Sequence, residues 1–284
     1  MFQYALGRRL ALERGVPLLL DARWCGTEDL SQEPGFACRL HHLRIDAALA
    51  GEAQVRQVVP RPTTLHWRLG WLLPPRYRRV VQQRQFPFDP SLLRCGKDAY
   101  LVGYWQTERY FDLIAEVIRA DFQLVAPMSE RRMAIAARIK ASRGISVHVR
   151  RGDYVSDPRT LKTHGVCSPE WYERAMAVLA EEEEAQGRTP SFFVFSDDPD
   201  WARENLVPRG SMTFIAPDPD GRDFEDLHLM AACRHHVTAN SSFSWWGAWL
   251  NPDPDKRVIA PARWFADAPH DTRDLIPPSW TCLE

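Results

Sequence analysis

From Ile145 onward the chain alternates short apolar runs with longer amphipathic ones. "ISVHV", "SFFVFS", "SMTFIAP", "HHVTA" and "KRVIAP" are bounded by polar or turn-forming residues and predict strands. The segments between them predict helices. Ser168-Pro169 opens one that runs through Met176 and stops near Gly187, and "DPDWARENL", "DFEDLHLMAAC" and "SSFSWWGAWL" give three more. Strands of about five residues alternating with helices predict a parallel, doubly wound sheet.

The first half is less regular. "MFQYALGRRLALERG" predicts a helix with Phe2, Ala5, Leu6 and Leu10 on one side, and "VPLLLD" a buried strand. The stretch that follows, to about Ser91, is rich in arginine, proline and tryptophan and has no clean period. "AYLVGYWQTERYF" predicts a strand and then a helix to about Phe122. Pro127 and Ser129 mark a hinge, with Ser129 as N-cap of the helix "SERRMAIAARIKA".

Composition narrows the class. A chain of 284 residues, 45% hydrophobic and 26% charged, can bury a substantial core in one large or two ordinary domains. A net charge of −1 argues against a general nucleic-acid binder. Six cysteines (Cys25, Cys38, Cys95, Cys167, Cys233 and Cys282) show no metal-type spacing and read as buried, reduced thiols of a cytoplasmic protein. No apolar run approaches the roughly 20 residues that span a bilayer. Arg8, Arg9, Glu13 and Arg14 interrupt the start where a signal peptide would be apolar. One local asymmetry remains: seven arginines and no acidic residue between Arg56 and Phe88, with Trp67, Trp71 and Tyr77 among them.

In a doubly wound sheet, ligands sit beyond the carboxyl ends of the strands. Polar clusters fall there in "HVRRGD" (His148–Asp153), "SDD" (Ser196–Asp198) and "NSS" (Asn240–Ser242), and the helix "DFEDLHL" starts just after another strand end. Arg150 and Arg151 suit phosphate oxygens because guanidinium is planar, bidentate and permanently charged. Taken alone they equally suit an ion pair with Asp153. Gly152 is expected to use positive φ to let backbone approach a ligand. The amides of Asn240, Ser241 and Ser242 would open a helix N-terminus of the kind that binds phosphate, although these residue types also cap helices with no ligand. Trp245, Trp246 and Trp249 read as core, and the acidic run Glu181–Glu184 as a solvated helix face. The three "DPD" triplets, at Asp198, Asp218 and Asp253, read as turns rather than metal sites because of their central proline.

"HVRRGDYV", "FVFSDDPDW" and "DLHLMAACRHHVTANSSFSWWGAWLN", in that order behind "MFQYALGRRLA", resemble the bacterial α-1,2-fucosyltransferases, the inverting GDP-fucose-dependent enzymes of family 11. The resemblance implies an α/β fold of GT-B type, two Rossmann-like domains facing a cleft. Residues 1–126 would form the acceptor-side domain and 127–284 the donor domain. The family usually opens with a strand and a glycine-rich loop just before "MFQYA", so the first domain here is expected to lack both. By resemblance Arg150 would hold the diphosphate of GDP-fucose, supported by Arg151. Asp226 would accept hydrogen bonds from the guanine edge, and His148 would line the same pocket. Ser241, Ser242 and Ser244, with Asn240, would serve the phosphates, and Asp197 and Asp198 would order the pocket. The reaction implied moves L-fucose to the 2-hydroxyl of a galactose-terminated glycan, lipid-linked or free, in surface lipopolysaccharide synthesis, with no metal or other cofactor. Asp153 is the candidate base, or else it pins the arginines. The tract Arg56–Arg84 reads equally as a peripheral membrane contact at the inner face or as a solvated loop facing the acceptor. The competing functions are another linkage or acceptor with the same donor, and an inactive nucleotide- or glycan-binding protein.

Overall fold

The computed structural model describes residues 1–25, 39–59, 72–207, 209–267 and 270–284. The chain divides into two compact units, Met1–Ala126 with Asp271–Pro277, and Pro127–His270 with Pro278–Glu284. The segment 271–277, assigned to the second domain from sequence, thus groups with the first unit.

In the first unit, helix α1 (Phe2–Arg14) buries Phe2, Ala5, Leu6 and Leu10, the face its spacing predicts. It ends at Gly15, whose φ of 61° is the left-handed turn that glycine adopts at a helix C-terminus. Tyr4 fixes the helix by donating to Asp121 Oδ2 at 2.6 Å. Strands here are short: β1 (Leu19–Leu20) pairs in parallel with β2 (Ala48–Leu49), and β3 (Val80–Gln82) with β4 (Tyr100–Val102). "VPLLLD" therefore contributes two strand residues, not six. Helix α2 (Glu52–Val58) lies between β2 and β3, and two single 3₁₀ turns precede α3 (Ala115–Asp121). Of the arginine–tryptophan tract, residues 60–71 lie outside the described residues.

The second unit follows the periodicity closely. Helix α4 (Glu130–Ser142) is capped by Ser129, whose hydroxyl accepts from the Arg132 amide. Next come β5 (Ile145–Val149), α5 (Gly152–Ser156), α6 (Pro158–His164) and α7 (Pro169–Ala185). β6 (Ser191–Ser196), α8 (Pro199–Asn205), β7 (Ser211–Ile215) and α9 (Asp223–Ala231) follow, and then β8 (His235–Val237), α10 (Ser242–Leu250), β9 (Val258–Pro261) and β10 (Thr281–Leu283). The six strands are all parallel, in the order β10-β9-β8-β5-β6-β7. β5 is buried along its whole length, as a central strand covered on both faces must be. The core gathers Ile145, Val147 and Val149 with Phe192 and Val194 of β6 and with Trp171, Ala175 and Leu179 of α7. Trp245, Trp246 and Trp249 are buried as well.

Three expectations change. Glu183 is not on a solvated face: it is 3% exposed, held by Arg188 and 3.3 Å from His235 Nε2. The thiols are not uniformly buried: Cys95 and Cys233 are, Cys167 is half-buried and Cys282 exposed, and Cys38 lies outside the described residues. Gly152 is not among the residues of positive φ. Its reason is room, as the site shows.

Candidate active site

The strand order explains where polar residues collect. β5, first in the unit, is central; the chain then runs outward through β6 and β7 and returns to β5's other side at β8. The sheet order reverses between β5 and β8, and a crevice opens where their carboxyl ends lead in opposite directions. Val149 delivers Arg150–Asp153 to one side of this point, and Val237 delivers Asn240–Ser244 to the other.

On the β5 side the two arginines are held by carboxylates from the end of β6. Asp197 accepts from the Arg151 amide at 2.8 Å and pairs with Arg150 Nη1 at 2.9 Å. Asp198 pairs with Arg151 Nε at 3.2 Å while capping α8 through the Trp201 amide. The Arg151 guanidinium lies 4.0 Å from the Trp201 ring centroid, a stacking contact that holds its plane. Gly152 makes this arrangement possible, because a Cβ there would stand 2.6 Å from Asp197 Oδ2. Asp153, more than half exposed, binds Arg150 Nη2 at 2.7 Å. The ion-pair alternative for Asp153 is therefore present in the structure. Arg150 has five N–H donors, so these contacts leave capacity for an anion. It also lies 5.3 Å from the Tyr154 ring, which stacks on His164 at 4.7 Å.

On the β8 side, Asn240 is buried and its side-chain amide donates to the carbonyls of His164, Gly165 and Trp264. It shapes the loop. Ser241 caps α10 through the Phe243 amide, and the Ser244 hydroxyl donates to the carbonyls of Ala239 and Ser241. Only Ser242 of this group is exposed. What the segment offers a ligand is its first-turn amides and the helix dipole, rather than three serine hydroxyls. The Tyr154 hydroxyl donates to the Asn240 carbonyl at 3.4 Å and ties the two sides together. His148 lies between them, buried, its ring 5.7 Å from Phe243. Burial, and then the Arg150 charge, push its pKa down to about 3, so the imidazole is neutral at any physiological pH.

Asp226 stands apart from both groups, on α9. Its Oδ1 lies 2.8 Å from Nη2 of Arg132, a wholly buried residue of α4. Burial, mainly, pushes its pKa up to about 7, with Arg132 pulling down and Asp223, Asp218 and Glu225 pushing up. Arg132, Glu225, Tyr154 and Trp201 were not anticipated as site residues. Only Arg132 left a sequence signal: it recurs seven residues before Ile139, on the buried face of α4.

A six-stranded parallel sheet in this order, polar at its switch point, is a Rossmann-like unit. The chain belongs to glycosyl transferase family 11, whose model matches residues 76–284. It is 32% identical to the alpha-1,2-colitosyltransferase of Escherichia coli, over 100% of this chain and 94% of that one. It is 27% identical to galactoside alpha-(1,2)-fucosyltransferase 1 of Saimiri sciureus over 53% of this chain and 42% of that protein, so it spans under half of that relative. Among solved structures, the fucosyltransferase NodZ from Bradyrhizobium superposes with a TM-score of 0.44 at 16% identity, covering 88% of each chain.

Proposed function

We propose that this chain transfers L-fucose from GDP-fucose to the 2-hydroxyl of a galactose-type residue, with inversion and without a metal, in surface-glycan synthesis. The observation that carries the reading is the switch point, where Arg150 follows the central strand β5 and the start of α10 follows its neighbour β8. Breaking the glycosidic bond places growing negative charge on the diphosphate leaving group. Fixed guanidinium N–H groups and helix amides aimed at that charge stabilise it without reorganising. The Arg150 donors not used by Asp197 take one phosphate, Arg151 holds the loop against Asp198 and Trp201, and the first-turn amides at Ser241 and Ser242 take the other. Neutral His148 lines the crevice without adding charge. Asp226 receives the guanine edge, and the two units have acceptor-side and donor roles. The family and the α-1,2 and galactoside activities named for the relatives support the linkage and the acceptor.

A second reading concerns the donor sugar. Colitose lacks the 3-hydroxyl of fucose, and the relative matched along this whole chain is named for colitose. Turnover of GDP-fucose and GDP-colitose, each with a galactoside acceptor and with or without EDTA, tests both readings. Fucosylated product that is EDTA-insensitive and linked at the 2-hydroxyl supports the proposal. Turnover of GDP-colitose alone gives the second reading, and loss of activity in EDTA removes metal independence.

A further inference from the structure

Arg132 is an unusual core residue. It is wholly buried, yet Nε and Nη1 have no hydrogen-bond partner among the described residues. Only Nη2 is engaged, donating to the Ala216 carbonyl past the end of β7 at 3.2 Å and lying 2.8 Å from Asp226 Oδ1. A buried charge so sparsely bonded is a poor structural fastener, because desolvating a guanidinium costs more than one good contact returns. A fastener is in any case already there. One residue along α9, Glu225 accepts from the Ser129 amide at 2.9 Å and the Ser129 hydroxyl at 2.8 Å, and so clamps the start of α4. The Arg132 contact is additional, and it falls on the one carboxylate expected to meet a base.

We propose that Arg132 is the positioning residue of donor-base recognition, holding Asp226 in place as an anionic acceptor for the purine edge. This rests on the reading of Asp226 as the guanine acceptor. Guanine's Watson–Crick edge presents two adjacent donors, N1–H and the N2 amine, and only an ionised carboxylate is acceptor-only. A protonated Asp226 would set an O–H against one of them. The surroundings favour that unwanted proton: burial, Asp218, and Asp223 and Glu225 on its own helix all disfavour the anion. His228, two residues further along α9, is held neutral near physiological pH by burial. Helix α10, packed against α9, has no ionisable side chain. Arg132, from α4, is the cation that opposes them.

The sign of the pH effect follows. Asp226 must lose its proton to bind the base and titrates near 7, so affinity is full above that pH and falls below it by about tenfold per unit. UDP shares the diphosphate, so the ratio of GDP to UDP affinity cancels phosphate titration. Calorimetry on the full chain between about pH 6 and 8 is expected to show that ratio falling on the acid side. In Arg132→Met the fall begins at least one unit higher, so the ratio at pH 7 drops at least about fivefold and recovers on the alkaline side. Arg132→Lys, which keeps the charge, stays close to wild type. An unshifted profile in Arg132→Met, or a loss equal at every pH, overturns the proposal. Should Arg132→Met not fold, Arg132→Gln, which removes the charge and keeps a polar side chain, is read by the same two criteria. Asp226→Asn that keeps the wild-type GDP preference defeats the underlying base assignment instead.

Discussion

Replacing Gly152 with alanine tests the arginine loop through one contact. An ideal Cβ at this position stands 2.6 Å from Asp197 Oδ2 and 3.1 Å from its Cγ, well inside van der Waals contact. Asp197 cannot turn aside freely, because Oδ1 accepts from the Arg151 amide and Oδ2 pairs with Arg150. Losing the charged hydrogen bond to the amide costs about 1.5–3 kcal/mol. The Arg150 pair is one-third exposed and adds less than about 1 kcal/mol. Against this, alanine in the first turn of α5 gains about 0.4–1 kcal/mol by restricting the unfolded chain. The net expectation is a loss of about 1–3 kcal/mol, or a melting temperature lower by roughly 3–9 °C for a unit of this size. GDP affinity should fall with it, because Arg150 loses its anchor. Thermal unfolding of Gly152→Ala, Asp197→Ala and the double variant checks the cause. Once Asp197 is alanine the methyl has nothing to strike, so the second substitution should then cost almost nothing. Equal cost in both backgrounds would refute the reasoning.

Other perturbations bear on the same loop and on the basic tract. Arg150→Ala should weaken GDP binding about 100-fold, the loss of charge-assisted hydrogen bonds worth about 3 kcal/mol, with Arg150→Lys intermediate because it keeps the charge without the fork. Isothermal titration reads both, and unchanged affinity removes Arg150 from the donor site. Asp153→Asn separates counter-ion from base: GDP affinity should rise in either case, because Asp153 shares Arg150 with the ligand, but the turnover number falls steeply only for a base. For the basic tract, Arg76 and Arg79 are exposed, while Arg78 is half-buried and donates to the Leu73 carbonyl at 2.7 Å. Substituting glutamine at all three should abolish sedimentation with anionic vesicles, and unaltered sedimentation would discard the membrane role.

The doubly wound sheet was readable because its strands are short runs bounded by polar or turn-forming residues, with longer amphipathic segments between them. Helices α5 and α6 were not, since "GDYVS" and "PRTLKTH" bury none of their residues and so carry no apolar stripe. β10 is three mostly exposed residues at the sheet edge, too short for a period. Glu183 looked solvated because Arg188 bonds it from just past the helix end and His235 reaches it from β8 through the fold. At the site, sequence located the loops but not the geometry inside them. It could not show that Gly152 makes way for Asp197, that Asn240 is occupied by three carbonyls, or that Asp226 meets Arg132 from nearly 100 positions away.

The second unit is proposed as a GDP-sugar donor site. Calorimetric titration of the 284-residue chain with GDP-fucose, and with UDP-galactose as control, tests it most directly. Saturable binding of GDP-fucose, weakened about 100-fold by Arg150→Ala, with none of UDP-galactose, is the expected result. Equal binding of the two, or binding of GDP-fucose indifferent to Arg150, would contradict it.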